Sequence, residues 1–247
     1  MNSIEQSRNL TQQLTYELGC AIVQGRYGEG TGFPTEAELS AQFNISRSVT
    51  REAVKMLTAK GLISSRPRKG ICVQPAHQWN MFDSDVLRWT LSTEPSLQLL
   101  KEFTQLRFAI EPEAVALACQ FATDQQIAAI GRALERMAKA ERGEDDPLDS
   151  DIAFHTSILE ASNNRFFLQF CDFIQAALRI SIACTNQLKS IRTASESDHR
   201  AIYEHIARRD VEGGREATRV LLCEVMDLIM DSLESAKSAE TLRAALV

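Results

Sequence analysis

The stretch from Phe33 to Val73, FPTEAELSAQFNISRSVTREAVKMLTAKGLISSRPRKGICV, constrains the chain most, because it sets out two short helices and a hairpin in a fixed order. Thr35 and Glu38 form a T-x-x-E capping box behind Pro34, so a helix starts there with Leu39 and Phe43 on one face. A polar turn, Asn44 to Ser46, interrupts the apolar pattern. A second helix follows from about Ser46 to Lys60, with Val49, Ala53, Met56 and Leu57 facing inward. Gly61 ends it at the position where a left-handed residue costs least. Leu62 to Ser65 and Ile71 to Val73 are β-prone arms around Arg66, Pro67, Arg68, Lys69 and Gly70. This order is the winged form of the helix-turn-helix.

The outward face of the second helix carries Arg47, Ser48, Arg51 and Lys55, the two arginines one turn apart. Arginine at the N-terminal end of such a helix forks onto guanine O6 and N7, while hydroxyls and backbone N–H groups hold phosphates. Arg66, Arg68 and Lys69 at the hairpin tip suit the DNA backbone or the minor groove. A basic face alone is often only solvated. Here Asn44 to Gly70 holds seven Lys/Arg against one acid, Glu52, in a chain of net charge −6. Residues 1–75 sum to +3 and the remainder to −9, so the basic end faces nucleic acid and the acidic part has another task.

The 247 residues divide into a DNA-binding domain over 1–75, a linker with a short helix over 76–94, and an all-helical domain over 95–247. Leu10, Leu14, Leu18 and Ile22 mark a buttressing first helix, and GRYGEGTGFP a glycine-rich loop. Trp79, Phe82, Val86, Leu87 and Trp89 make the linker too apolar for a free tether, so its helix is expected to pack between the domains. Beyond it, Leu97, Leu100, Phe103 and Leu106 mark a helix that Pro112 should kink or break. Thr123 and Gln126 form another capping box, with Ile127, Ile130, Leu134 and Met137 inward, and acidic GEDDPLDS is a loop. Helices at about 151–161, 165–188, 195–209 and 211–235 complete an antiparallel bundle, giving a mostly α chain with a small wing. The six cysteines show no CxxC pairing and read as reduced, buried thiols. No apolar run of membrane-spanning length and no signal-peptide core are visible, so a cytoplasmic protein without membrane contact is expected.

Asp151 and His155 stand at i and i+4 on one helix, and His199 opens another. The set can clamp a divalent ion such as zinc or nickel, or serve as an ion pair. A metal-dependent hydrolase fused to a DNA-targeting domain is the remote alternative, for it lacks a general base, a phosphate-binding glycine loop and a nucleophile elbow.

The run GRYGEGTGFPTEAELSAQFNISRSVTREAVKMLTAKGLISSRPRKGICV resembles the DNA-binding domain of the GntR family of bacterial transcription regulators. By position, the resemblance implies DNA contacts from Ser46, Arg47, Ser48, Arg51 and Gly70, and departs at Ala37, where many members carry an arginine. The second half resembles the FCD effector domain of the FadR subfamily, which in many members holds a metal on one Asp and three His. Asp151, His155 and His199 match three of these; Leu221 occupies the fourth place, with Glu224 as a conceivable substitute. The resemblance also gives Arg107 and Asn164 as effector contacts, Arg107 through its guanidinium to a carboxylate, although an ion pair to Glu111 or a turn role for Asn164 would use the same residues. QWNMFDSDVLRWTL and EPSLQLLKEFTQLRFAIEPEAVALA are similar to subfamily members answering sugar acids. The implied protein is a homodimeric repressor that reads a pseudo-palindromic operator in double-stranded DNA and is released by a small carboxylate. Acyl-CoA is the alternative effector, disfavoured by the retained Asp151 and His155.

Overall fold

The computed structural model describes residues 3–29, 32–66, 70–93, 97–188 and 196–245, which fall into two compact units, Met1–Glu94 and Pro95–Val247. In the first, α1 (Ser3–Val23), α2 (Glu36–Phe43) and α3 (Arg47–Ala59) surround a core of Leu14, Leu18, Ile22, Leu39, Ala53 and Leu57. Leu10 of the expected apolar stripe is exposed instead. Thr35 caps α2 as a full capping box, and Asn44 closes it in the left-handed region at φ 51°. Ser46 caps α3, and Gly61 follows its end at φ 78°.

The wing is a three-stranded antiparallel sheet in the order β1 (Gly32–Phe33), β3 (Gly70–Val73), β2 (Ile63–Arg66). In the hairpin Ile63 pairs with Val73 and Arg66 with Gly70. β1 lies inside what the sequence presents as a glycine-rich loop; Phe33 pairs with Ile71 and is buried beside Tyr27. Two residues carry no alternation to read, so the strand exists only through its partner.

The expected linker belongs to the N-terminal unit. After a 3-10 turn at Ala76–Gln78, α4 (Ser84–Thr93) packs on α1 and puts Val86 and Trp89 into the same core. It is therefore part of the winged unit rather than a spacer between two units.

The second unit is a helical bundle of α5 (Leu97–Phe121), α6 (Asp124–Glu141), α7 (Pro147–Ala161), α8 (Arg165–Gln169), α9 (Cys171–Leu188), α10 (Glu196–Ala207) and α11 (Val211–Ala245). α5 runs unbroken through buried Pro112. The missing N–H removes one rung, but α5 packs along α11 with Ala114, Val115 and Ala118 buried, and that packing holds the helix together. Their approach is close: a Cβ on Gly214 would lie 2.8 Å from Val115 Cγ1. The acidic loop is shorter than expected, because Asp146 caps α7 and Pro147 takes its first turn, where a proline loses no hydrogen bond. The Thr123–Gln126 capping box is formed, and Gln126 also ties down the end of α7 through Glu160 O and Asn163 Oδ1.

The described cysteines are free thiols, of which only Cys119 is fully buried and Cys223 is exposed, so the expectation of buried thiols holds for one of them. Among the described residues no helix is long and apolar enough to cross a membrane.

Candidate nucleic-acid interface and buried metal-ligand cluster

The first turn of α3 presents Ser46, Arg47, Ser48 and Arg51 to solvent. Ser46 Oγ accepts from Val49 N at 3.4 Å and lies 2.9 Å from Ser48 Oγ, so two hydroxyls sit side by side at the helix N-terminus. That end offers free N–H groups and a positive dipole, suited to a phosphate. Arg51 Nε donates to Glu36 Oε2 at 3.5 Å and Lys55 pairs with Glu52 at 2.8 Å, both in the open. Gly70 is exposed at φ 74°, at the last rung of the hairpin opposite Arg66. Arg68 and Lys69 lie outside the described residues, and Arg66 is described by its backbone alone. One cation counted toward the basic face is not on it: Lys60 is buried and paired with Asp83 and Asp85.

In the bundle, α7 brings Asp151 and His155 onto one face and α10 adds His199. His155 Nε2 lies 3.2 Å and His199 Nε2 3.8 Å from Asp151 Oδ1, and the three ligand atoms fall within 4.8 Å of one another. Atoms held about 2.1 Å from a tetrahedral zinc stand about 3.4 Å apart, so the spacing suits coordination. Phe154 seals the two rings edge-on, at 5.8 Å from His155 and 5.0 Å from His199. Asp151 Oδ1 is a buried carboxylate oxygen with no hydrogen-bond partner among the described residues; His155 is close to it but at an angle that makes no hydrogen bond. An ion would satisfy that oxygen.

A residue of the site went unread in the sequence except as a possible partner of Arg107. Glu111, on α5, stands 3.1 Å from His155 Nδ1, which fixes the ring and turns Nε2 toward Asp151. Arg107, expected to meet an effector, is buried and donates to Glu111 through Nε at 2.6 Å and Nη2 at 3.3 Å. Its Nη2 also lies 3.4 Å from His155 Nε2, so the guanidinium stands against the nitrogen an ion would take. Burial pushes the Glu111 carboxyl up, but Arg107 and His155 outweigh it and hold it well below the usual range. Burial lowers the His155 imidazole, and Glu111 and Asp151 more than offset this, raising it to about 9. For Asp151 burial is likewise overcome, by His155, His199 and Arg107, and its carboxyl titrates low. The residues fit a three-ligand ion site in which Arg107 is the competitor.

Leu221, which stands in the fourth ligand's place, is buried, and Glu224, the substitute considered for it, is exposed and outside the ligand cluster. Asn164 caps α8, accepting from Phe166 N at 2.9 Å, and lines an open groove of about 540 Å³ with Phe121 and Phe166. His205 pairs with Asp210 at 2.8 Å at the turn into α11, a structural role. The cavity beside His155, between Glu111, Ile158, Ile202 and Thr218, measures about 10 Å³, room for about one water.

Residues 10–73 match the family described as bacterial regulatory proteins, gntR family, and residues 102–223 match the FCD domain. The chain is 32% identical over 217 residues, covering 87% of it and 93% of the relative, to the uncharacterized HTH-type transcriptional regulator YieP of Escherichia coli (strain K12). It is 30% identical, with 87% and 94% covered, to the galactonate operon transcriptional repressor of the same organism. A transcriptional repressor of Klebsiella aerogenes, NanR, is 28% identical, with 94% and 90% covered. Among solved structures, Listeria monocytogenes Lar shares the fold at TM-score 0.56 and 17% identity, with 89% and 96% covered. A regulator from Rhodococcus sp. RHA1 does so at TM-score 0.51 and 16% identity, with 90% and 97% covered.

Proposed function

Since the chain belongs to the GntR family of bacterial regulators, with an FCD domain behind the winged helix, and is a transcription regulator rather than an enzyme, we propose that it is a cytoplasmic, homodimeric repressor released from its operator by a sugar acid. The observation that carries this reading is the exposed Ser46, Arg47, Ser48 and Arg51 set on the first turn of α3, where a helix enters the major groove. Arg47 and Arg51 read guanine edges, Ser46, Ser48 and Gly70 hold phosphates, and Arg66, Arg68 and Lys69 of the wing follow the backbone. Two copies related by a two-fold axis would read half-sites about 10 bp apart.

The effector site lies at the Asp151, His155 and His199 cluster. A divalent ion held there would supply open coordination positions for effector oxygens. Arg107 takes the effector carboxylate by leaving Glu111, exchanging one bidentate carboxylate for another. The small cavity beside His155 requires the helices around it to part, which is how occupancy reaches the rest of the protein. A coupling of about 1 to 3 kcal/mol suffices for release. The sugar-acid class rests on the galactonate repressor among the relatives.

The test is calorimetric titration of D-galactonate, other aldonates and an acyl-CoA into full-length protein, with and without a chelator. The reading expects an aldonate to bind, more weakly after chelation, and to weaken retention of a duplex selected by the protein from a random-sequence library. Binding of acyl-CoA alone would contradict the effector class, and aldonate affinity indifferent to the chelator would contradict the ion.

A further inference from the structure

The two arginines one turn apart on α3 are not held alike. Arg51 Nε donates to Glu36 Oε2 at 3.5 Å, reaching from α3 back to the first turn of α2. Lys55, a turn further on, pairs with Glu52 at 2.8 Å. Arg47 has no acidic partner among the described residues. Glu36, for its part, is not used by the helix end on which it stands. The other acid of that turn, Glu38, closes the capping box, its Oε2 accepting from Thr35 N and from Thr35 Oγ1, both at 2.8 Å. That leaves the Glu36 carboxylate to meet Arg51. The pair is open to solvent, with the Arg51 side chain 62% and the Glu36 side chain 36% exposed, so it adds little to stability.

A carboxylate at this place works against affinity. In a helix-turn-helix the first helix crosses the phosphate backbone, so the start of α2 stands where a negative charge opposes binding. What the carboxylate adds is selectivity. With Nε engaged, Arg51 presents its two Nη groups end-on, the fork that matches O6 and N7 of one guanine. The same negative charge repels a phosphate from the guanidinium and leaves a base edge as the place where Arg51 finds its acceptors. Arg47, without an acidic partner, is free to follow base or phosphate. We propose that Glu36 is a specificity-determining residue, which positions the Arg51 guanidinium for one guanine and keeps it off the phosphate backbone. The proposal rests on the reading of α3 as the helix that enters the major groove. Glu36 touches no base in this scheme; it acts through Arg51.

The test measures dissociation constants of full-length protein at one fixed salt concentration. The ligands are a duplex that the wild type selects from a random-sequence library, the same duplex changed at single base pairs, and unselected duplex. The base pair read by Arg51 is the one at which Arg51→Ala loses discrimination. There, Glu36→Ala is expected to reduce discrimination about tenfold, with the other base pairs within about threefold of wild type. It is also expected to bind unselected duplex as tightly as the wild type or more tightly, because a charge opposing the phosphates is gone. Added to Arg51→Ala, the same substitution is expected to change discrimination by no more than about threefold at any base pair. Glu36→Gln, which keeps the length and an acceptor oxygen but not the charge, is expected to fall between wild type and Glu36→Ala, and carries the test should Glu36→Ala fail to fold. Wild-type discrimination at that base pair in the folded variants overturns the proposal. Weaker binding of unselected duplex, a loss spread evenly over all base pairs, or a loss that persists beside Arg51→Ala does so too, since each would make Glu36 a support of the fold rather than of Arg51. Arg51→Ala protein that discriminates as the wild type does removes Arg51 as a reader and Glu36 with it, whereas a wild type that selects no duplex removes the DNA-binding reading as well.

Discussion

Glu111 organises the buried site, because it meets His155 on one side and Arg107 on the other. Replacing it with glutamine keeps the shape but loosens the imidazole and leaves Arg107 without a counter-charge. Glu111→Gln is expected to weaken zinc or nickel binding by about 10- to 100-fold in calorimetry, the usual cost of losing a partner that orients a ligand. Unchanged affinity would show that Glu111 does not set the ring. That Asp151 and His155 come together was legible, because they are one helical turn apart and a local spacing survives folding. Glu111 and Lys60 were not legible in those roles, because the partners that define them, His155 for one and Asp83 for the other, stand far along the chain. Sequence alone gives Lys60 as a cation on a basic helix; the fold turns it inward.

Among the elements, the two capping boxes were readable for the same reason, since Thr35 with Glu38 and Thr123 with Gln126 need only three residues of spacing. Thr35→Ala is expected to cost about 1 kcal/mol in urea unfolding of the winged unit. Gly61→Ala should cost more, because the residue sits at φ 78° and its methyl would collide with Gln78 O. An unfolding midpoint equal to wild type for Gly61→Ala would mean that the turn after α3 has another conformation. β1, α4 and the unbroken α5 illustrate the opposite case. β1 exists because β3 supplies its partner, α4 joins the winged core through Val86 and Trp89, and α5 continues past Pro112 because α11 packs beside it. In each, tertiary contact overrides the local signal.

At the scale of the whole molecule, the net charge is +3 over residues 1–75 and −9 beyond them, and the boundary between the two units falls later, at Glu94, because the acidic stretch around Asp83 and Asp85 belongs to the first unit. The bundle should answer to a metal by mass action. At a free zinc concentration about 100 times its dissociation constant, the bundle is expected to gain about 2.7 kcal/mol, reversed by chelator and absent in Asp151→Asn. No shift in the wild-type melting curve would remove the ion from the mechanism. The central claim is nearer the DNA: the first turn of α3 is the surface that reads sequence. Its most direct test is the dissociation constant of full-length protein for a duplex selected from a random library, at one fixed salt concentration, for wild type and for Arg47→Ala. The account predicts a loss of about 1 to 3 kcal/mol for the selected duplex, with binding to unselected duplex much less affected. Equal affinity of the two proteins for the selected duplex would contradict it.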